Sequence, residues 1–190
     1  MKECRQCGTQ FAPARPMQAV CSPICASRLV RVAKKEKTAQ KAAERKQIKA
    51  RKEAIKTIPQ LIKEVQVVFN RYIRWRDRER DCISCGAPPP DLGTLHAGRD
   101  AGHWRSTGSA AHLRFTEDNC HAQCVKCNQW GAGRAVEYRI GLLGRIGEAR
   151  VLALETNNDI RKWSKEELRE LKAYYAKRLR DEQKNVSANQ

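Results

Sequence analysis

Cys82-Ile-Ser-Cys85 at one end and Asn119-Cys-His-Ala-Gln-Cys124-Val-Lys-Cys127-Asn128 at the other enclose the stretch that decides how this chain folds. Two Cys-x-x-Cys pairs flanking a short loop-rich segment have the spacing of a zinc site. Each pair makes a tight knuckle with both thiolates aimed at one ion. Two knuckles complete a tetrahedral four-cysteine site with no open position for chemistry, so the zinc expected here is structural. It pins together two ends that burial of the intervening residues could not hold. Between the knuckles lie His103, His112, Asn119 and His121, and any chemistry is to be sought among them.

Working outward, the N-terminal residues repeat the theme. Cys4-x-x-Cys7-Gly8 and, thirteen residues on, Cys21-x-x-x-Cys25 predict a second zinc module, a ribbon or treble-clef finger with a helix starting near Cys25. Eight of the nine cysteines are thereby assigned to two structural zinc ions, and Cys120 is left as a buried thiol. The start, Met1-Lys2-Glu3-Cys4, lacks the apolar core of a signal peptide, and no apolar run is long enough to span a bilayer. A cytoplasmic location, where thiols stay reduced, is expected, with no membrane partner.

The formal net charge is +17, and a surplus of that size calls for a polyanion, nucleic acid above membrane. More than half of it lies in residues 28–56, where twelve Lys or Arg face three Glu, a local balance of +9. This stretch lacks Gly, Pro and a continuous apolar stripe. It predicts a solvated helix or a disordered arm that tracks phosphates without reading bases. Arg31, Lys34, Lys35, Lys41, Arg45, Lys46 and Lys49 are the DNA-contact candidates there, with Arg105 and Arg114 near the centre.

Residues 58–76 change character. Ile58, Leu61, Ile62, Val65, Val68, Phe69, Tyr72 and Ile73 recur at three- and four-residue steps, with Pro59 in the first turn, so an amphipathic core helix is predicted. Pro88-Pro89-Pro90 marks a loop, and His96 beyond it belongs to no motif. Gly131-Ala132-Gly133 should end the helix begun at the second knuckle. Residues 134–155 predict two short helices broken around Gly141, Gly144 and Gly147. Ser164 and Glu167 form a capping box for a last helix carrying Leu168, Leu171, Tyr175 and Leu179, with a frayed polar tail after Gln183. Trp104 and Trp130 are assigned to the core in preference to base stacking. The expected architecture is α+β, divided into a finger (1–27), a basic arm (28–57), a zinc-braced module with flanking helices (58–155) and a C-terminal helix and tail (156–190).

Cleavage of a phosphodiester needs a base to activate water and a cation to hold charge on the phosphate. The order knuckle, His103, Asn119, knuckle, Asn128 resembles the zinc-braced branch of the HNH, or ββα-metal, endonucleases. That resemblance implies His103 as general base, Asn119 as the residue that holds the loop and orients it, and Asn128 as a ligand of a catalytic Mg²⁺ or Mn²⁺. The acid that usually precedes the base is absent: Gly102 stands there, and Asp100, three residues before His103, would take its place, with His121 a further ligand candidate.

A more extensive likeness covers most of the chain. Asp100-Ala-Gly-His103-Trp-Arg-Ser, His112-Leu-Arg-Phe115, Asn119, Gln123-Cys-Val-Lys-Cys-Asn128, Gly131 and Glu137-Tyr-Arg-Ile140 resemble the lambdoid-phage NinG family, also called Rap. The N-terminal finger and basic helix are similar too. The resemblance implies a recombination endonuclease that cuts branched double-stranded DNA such as Holliday junctions and displacement loops. The alternative is a noncatalytic protein that binds branched DNA and keeps the HNH shell as a scaffold. Two cuts resolve a two-fold symmetric junction, which makes a homodimer the corresponding hypothesis.

Overall fold

The computed structural model describes residues 1–89 and 98–188. Pro90 and His96 lie outside the described residues. Among the described residues helix predominates, joined by two small antiparallel two-stranded sheets. The chain divides into two compact units, residues 1–56 and 57–190.

In the first unit, strands β1 (Lys2–Glu3) and β2 (Gln10–Phe11) pair across the first knuckle. Helix α1 (Pro23–Ala54) follows without a break from the second cysteine pair. Ser22 caps it by accepting the Cys25 N–H, and Pro23 occupies the first turn, where a missing N–H costs nothing. At 1.5 Å per residue this 32-residue helix is about 48 Å long. Among its described residues Cys25 alone is buried. Residues 28–54 thus form a helix and not a loose arm.

The second unit is built on α2 (Ile58–Arg76), which buries Leu61, Val65, Phe69, Tyr72 and Ile73. Thr57 and Gln60 form a capping box at its start. The chain then makes the Cys82 knuckle and returns as β3 (Arg99–His103). After two single-turn 3₁₀ segments, β4 (Cys120–Cys124) pairs antiparallel with β3, His103 opposite Cys120 and Asp100 opposite Gln123. A short π-helical segment, Lys126–Trp130, carries the last zinc cysteine and Asn128.

Side chains alternate across a strand. Ala101 and Cys120 therefore join Phe69, Tyr72 and Ile73 of α2 in one core, which Leu168 and Tyr175 of α5 (Lys165–Ala188) complete. Phe69 meets Tyr175 edge-on at 4.9 Å between ring centroids and Phe115 at 5.8 Å. Each such ring, fully buried, contributes about 1.5–3 kcal/mol. A second core gathers Ile83, Ala110, Leu113, Tyr138, Leu142, Val151 and Leu154, using α3 (Ala135–Ile146) and α4 (Glu148–Thr156).

The break between α3 and α4 falls at Gly147, with φ +79°. Gly141 and Gly144 lie within α3, contrary to the expected interruptions. Gly141 serves a close approach: a Cβ there would stand 2.0 Å from the Ile83 carbonyl oxygen. The capping box at Ser164 is present, with Glu167 N donating to Ser164 Oγ at 3.1 Å and Ser164 N to Glu167 Oε2 at 2.8 Å. Helix α5 runs on to Ala188 where fraying after Gln183 was expected. Arg178 pairs with Glu182 one turn on, and the Ser187 hydroxyl donates back to the Gln183 carbonyl.

Candidate functional site

Both cysteine quartets converge. In each, the four sulfurs lie within 4.8 Å of one another. Measured separations are 3.6 Å for Cys7–Cys21 and for Cys21–Cys25, and 3.8 Å for Cys85–Cys124. Four thiolates about 2.3 Å from one zinc in a tetrahedron stand about 3.8 Å apart. The donor set and spacing fit one Zn²⁺ each, held by Cys4, Cys7, Cys21 and Cys25 and by Cys82, Cys85, Cys124 and Cys127. Burial works against the Cys4 and Cys82 thiolates, but backbone N–H groups overcome it. Those of Cys21, Cys7 and Gln6 bring Cys4 down to about 6, and those of Cys124, Cys85 and Ser84 bring Cys82 down to about 7. One thiolate of each quartet is thereby favoured at neutral pH, while hydrogen bonds to Cys25 and Cys7 push Cys21 up to about 12 and burial pushes Cys127 up, so metal binding must displace the remaining protons.

Between the zinc cysteines, His103 ends β3 half-buried, its ring centroid 6.1 Å from that of Phe69. Its Nε2 lies 2.9 Å from the Arg114 carbonyl oxygen. A carbonyl only accepts, so Nε2 carries the proton and Nδ1 keeps its lone pair. Burial, aided by the Arg114 charge, lowers the His103 pKa below its ordinary value, so the ring is neutral at pH 7. The Cys120 Sγ is 3.7 Å from Nδ1. Burial pushes that thiol far up, so it stays protonated and its S–H donates weakly to Nδ1.

Asn119 is fully buried and works on the loop. Its Oδ1 accepts the Arg105 N–H, and its Nδ2 donates to the Arg105 and Leu113 carbonyls. It fixes the segment leading out of β3; the direct hold on the His103 ring comes from Arg114.

Asp100 and Asn128 are brought together. The Asn128 amide donates to Asp100 Oδ2 at 2.9 Å, and Gln129, missed in the sequence, donates to the same oxygen at 2.8 Å. Asp100 and Gly102 share the face of β3 opposite Ala101 and His103, so the ligand candidates and the base candidate lie on opposite faces of the hairpin, three residues apart along β3. Arg74 of α2 lies within electrostatic reach of Asp100.

His121, the further ligand candidate, pairs with Gly102 on the Asp100 face of the hairpin. It is buried, its Nδ1 has no hydrogen-bond partner, and its pKa falls to about 3 through burial and the charge of Arg76. Among the described residues, the groups of three or more His, Cys, Asp or Glu that could hold a metal are the two quartets.

Arg105, a phosphate-contact candidate, is tied down by three acceptors: the Leu154 and Asn157 carbonyls and Asn158 Oδ1, at 2.8, 2.5 and 2.8 Å. It clamps the loop to the end of α4. Arg114 donates to the Thr107 carbonyl and more weakly to Gln66. The seven basic candidates on α1 are all exposed. Trp130, assigned to the core, is 83% exposed, while Trp104 packs at the second core and donates to the Ala135 carbonyl. His112 bonds the Asn157 carbonyl.

Asp77, which no sequence motif singles out, is an organising residue. It is buried at 1% exposure, pairs with Arg76 through both oxygens, and accepts the Ala122 N–H of β4. Burial raises its pKa, yet Arg76 and that N–H hold it below the usual carboxylate range. The Tyr138 hydroxyl bridges the hairpin, accepting from His121 N and donating to the Gly102 carbonyl.

These features define a basic, helix-dominated protein with two modules that can each hold a structural zinc. A family profile described as "Bacteriophage Lambda NinG protein" matches residues 1–185. The chain is 40% identical over 189 residues to "Protein ninG" of Escherichia phage lambda, which covers 93% of this chain and 89% of that one. It is 40% identical over 193 residues to "Protein ninG" of Salmonella phage P22, covering 95% and 90%. The chain belongs to the NinG family. No solved structure matches it. No helix among the described residues is long and apolar enough to cross a membrane.

Proposed function

We propose that the chain is a phage recombination endonuclease that cuts branched double-stranded DNA by metal-dependent hydrolysis, with an HNH-like core. The observation that carries this reading is the neutral His103, whose Nε2–H is fixed on the Arg114 carbonyl and whose basic Nδ1 receives only the weak Cys120 S–H donor, which an attacking water would displace. On the other face of the strand that presents it, Asp100 accepts from Asn128 of the segment after β4. Hard divalent cations choose oxygen ligands of that kind. Mg²⁺ or Mn²⁺ bound there would stabilise charge on the phosphate and the departing oxygen. His103 takes the proton of the attacking water at Nδ1, and Asn119 keeps the loop beyond β3 in place while it does so. The exposed cations of α1 neutralise flanking phosphates, an arrangement that makes binding strongly salt-dependent.

The noncatalytic reading has its own support. Gly102 replaces the usual acid, and His103 packs against Phe69 with Cys120 beside Nδ1. A protein of that kind would bind branches and leave them whole. Incubating the zinc-loaded protein with a synthetic four-way junction and its matched linear duplex, with Mg²⁺, with Mn²⁺ and with neither, separates the two. Ion-dependent cutting of the junction, with the duplex spared, is expected. Junction binding without cutting under either ion would transfer the function to the scaffold reading. Light scattering on and off the junction tests the homodimer, which a mass of one chain in both states would rule out.

A further inference from the structure

Gln123 lies on β4 directly opposite Asp100 and shares its face of the hairpin with Gly102. The side chain is fully buried. Its Nε2 donates to Ser84 Oγ and to the Gly133 carbonyl, both at 2.7 Å. The carbonyl can only accept, so the amide cannot be the other way round. Its Oε1 is thereby turned toward Gly102 and has no hydrogen-bond partner. Burying an amide oxygen without a donor is unfavourable and calls for an explanation.

Gly102 supplies the second half. A Cβ at this position would stand 2.2 Å from Gln123 Oε1 and 3.2 Å from Asn128 Oδ1. Two amide oxygens thus converge on the place where the acid of the HNH pattern would have its side chain. Asn128 Nδ2 is bonded to Asp100 Oδ2, which brings a carboxylate to the same group. Carboxylates and side-chain amide oxygens are the ligands that Mg²⁺ and Mn²⁺ take.

We propose that Gln123 Oε1, Asn128 Oδ1 and the Asp100 carboxylate form an oxygen site for one divalent cation, in which Gln123 replaces the absent acid. Residue 102 is glycine because any side chain there would occupy the position of the Gln123 oxygen. This deepens the proposed function, resting on it only for the choice of ion.

The test uses the full-length zinc-loaded protein and Mn²⁺ alone as probe. In a ¹⁵N-labelled wild-type sample, substoichiometric Mn²⁺ should broaden the Gln123 and Asn128 side-chain amide signals and the Gly102 backbone signal first. The Gln66 and Asn70 amides on α2 should persist. By electron paramagnetic resonance, Gln123→Ala should bind Mn²⁺ at least tenfold more weakly. The double variant Gly102→Asp with Gln123→Ala should recover binding, since it removes the 2.2 Å clash, leaves a contact of 3.1 Å with the Cβ of residue 123 for the hairpin to absorb, and restores an acid. Broadening that spares Gln123, or a folded Gln123→Ala protein that binds Mn²⁺ as wild type does, would overturn the proposal. If Gln123→Ala fails to fold, the wild-type titration decides alone. Mn²⁺ bound through Gln123 with every junction uncut would uphold the site and remove the nuclease; junctions cut with Gln123 unaffected by Mn²⁺ would do the reverse.

Discussion

Around Cys4 and around Cys82 the backbone folds in the same way. Gly8 N donates to the Cys4 carbonyl and Gly86 N to the Cys82 carbonyl, each at 2.9 Å, and both glycines have positive φ. The third cysteine of each quartet donates its N–H to the sulfur of the first, Cys21 to Cys4 at 3.4 Å and Cys124 to Cys82 at 3.3 Å. What surrounds the two knuckles differs. The first holds two strands of two residues and launches a helix that buries almost nothing. The second sits between two apolar cores, with Ile83 packed under α3 and Asp77 anchoring β4. The same metal knuckle therefore replaces a core in one unit and orders a core in the other. The polar groups that could do chemistry are found with the second, where packing can hold them still.

The comparison breaks most visibly at the zinc ligands. Cys127→Ser should lose one zinc ion and the cooperative unfolding of residues 57–190, because metal-binding free energy on the order of 10 kcal/mol is coupled to folding. Cys7→Ser should also lose one ion, yet leave the melting of that second unit within about 0.5 kcal/mol of wild type. Metal analysis with calorimetry reads both. Next in size is Asp77→Asn, which strands the Arg76 guanidinium against a neutral partner. A loss of roughly 3–5 kcal/mol is expected in urea unfolding of the second unit, with the finger's zinc retained. The carboxylate's contribution is present above the ordinary Asp pKa near 4 and disappears as pH falls through its lowered folded value.

His121 gives a smaller effect of definite sign. Folded, it stays neutral down to about pH 3, whereas the unfolded chain takes up a proton below about 6.5. Stability therefore falls as pH drops through that window, by about 2 kcal/mol between pH 7 and pH 5. Zinc thiolates add their own acid sensitivity. The slope difference between wild type and His121→Phe isolates the imidazole, and equal slopes would refute its burial in neutral form. Smallest are the helix caps. Thr57→Ala should cost about 1 kcal/mol of global stability in the second unit. Ser22→Ala should fray the start of α1 by a similar local amount, read by hydrogen exchange at Cys25, without shifting that global melt.

The features legible in the sequence were those whose physics is local. Cysteine spacing revealed both quartets because a knuckle needs few residues and one ion. The apolar period with Pro59 revealed α2, and Ser164 with Glu167 revealed the start of α5. Where a residue's role depended on a distant neighbour, its type misled. Gly141 reads as a helix break, yet it exists to let α3 approach the Ile83 carbonyl. Arg105 reads as a phosphate contact, yet carbonyls at the end of α4, about fifty residues on, hold it. Trp130 reads as core and is exposed. Gln123 stands one residue before a zinc cysteine, and its type signals no role. Period-two alternation along Cys120–Cys124 would have placed it on the Asp100 face, but only once the pairing register was known.

The central claim is that the second knuckle positions a general base. It is tested most directly by single-turnover cleavage of a four-way junction by wild type and His103→Ala, with each protein saturating the junction in the presence of Mg²⁺ or Mn²⁺. Unchanged junction affinity and a cutting rate lowered about 10²- to 10⁴-fold are expected in the variant. A folded His103→Ala protein that cuts at the wild-type rate would contradict it.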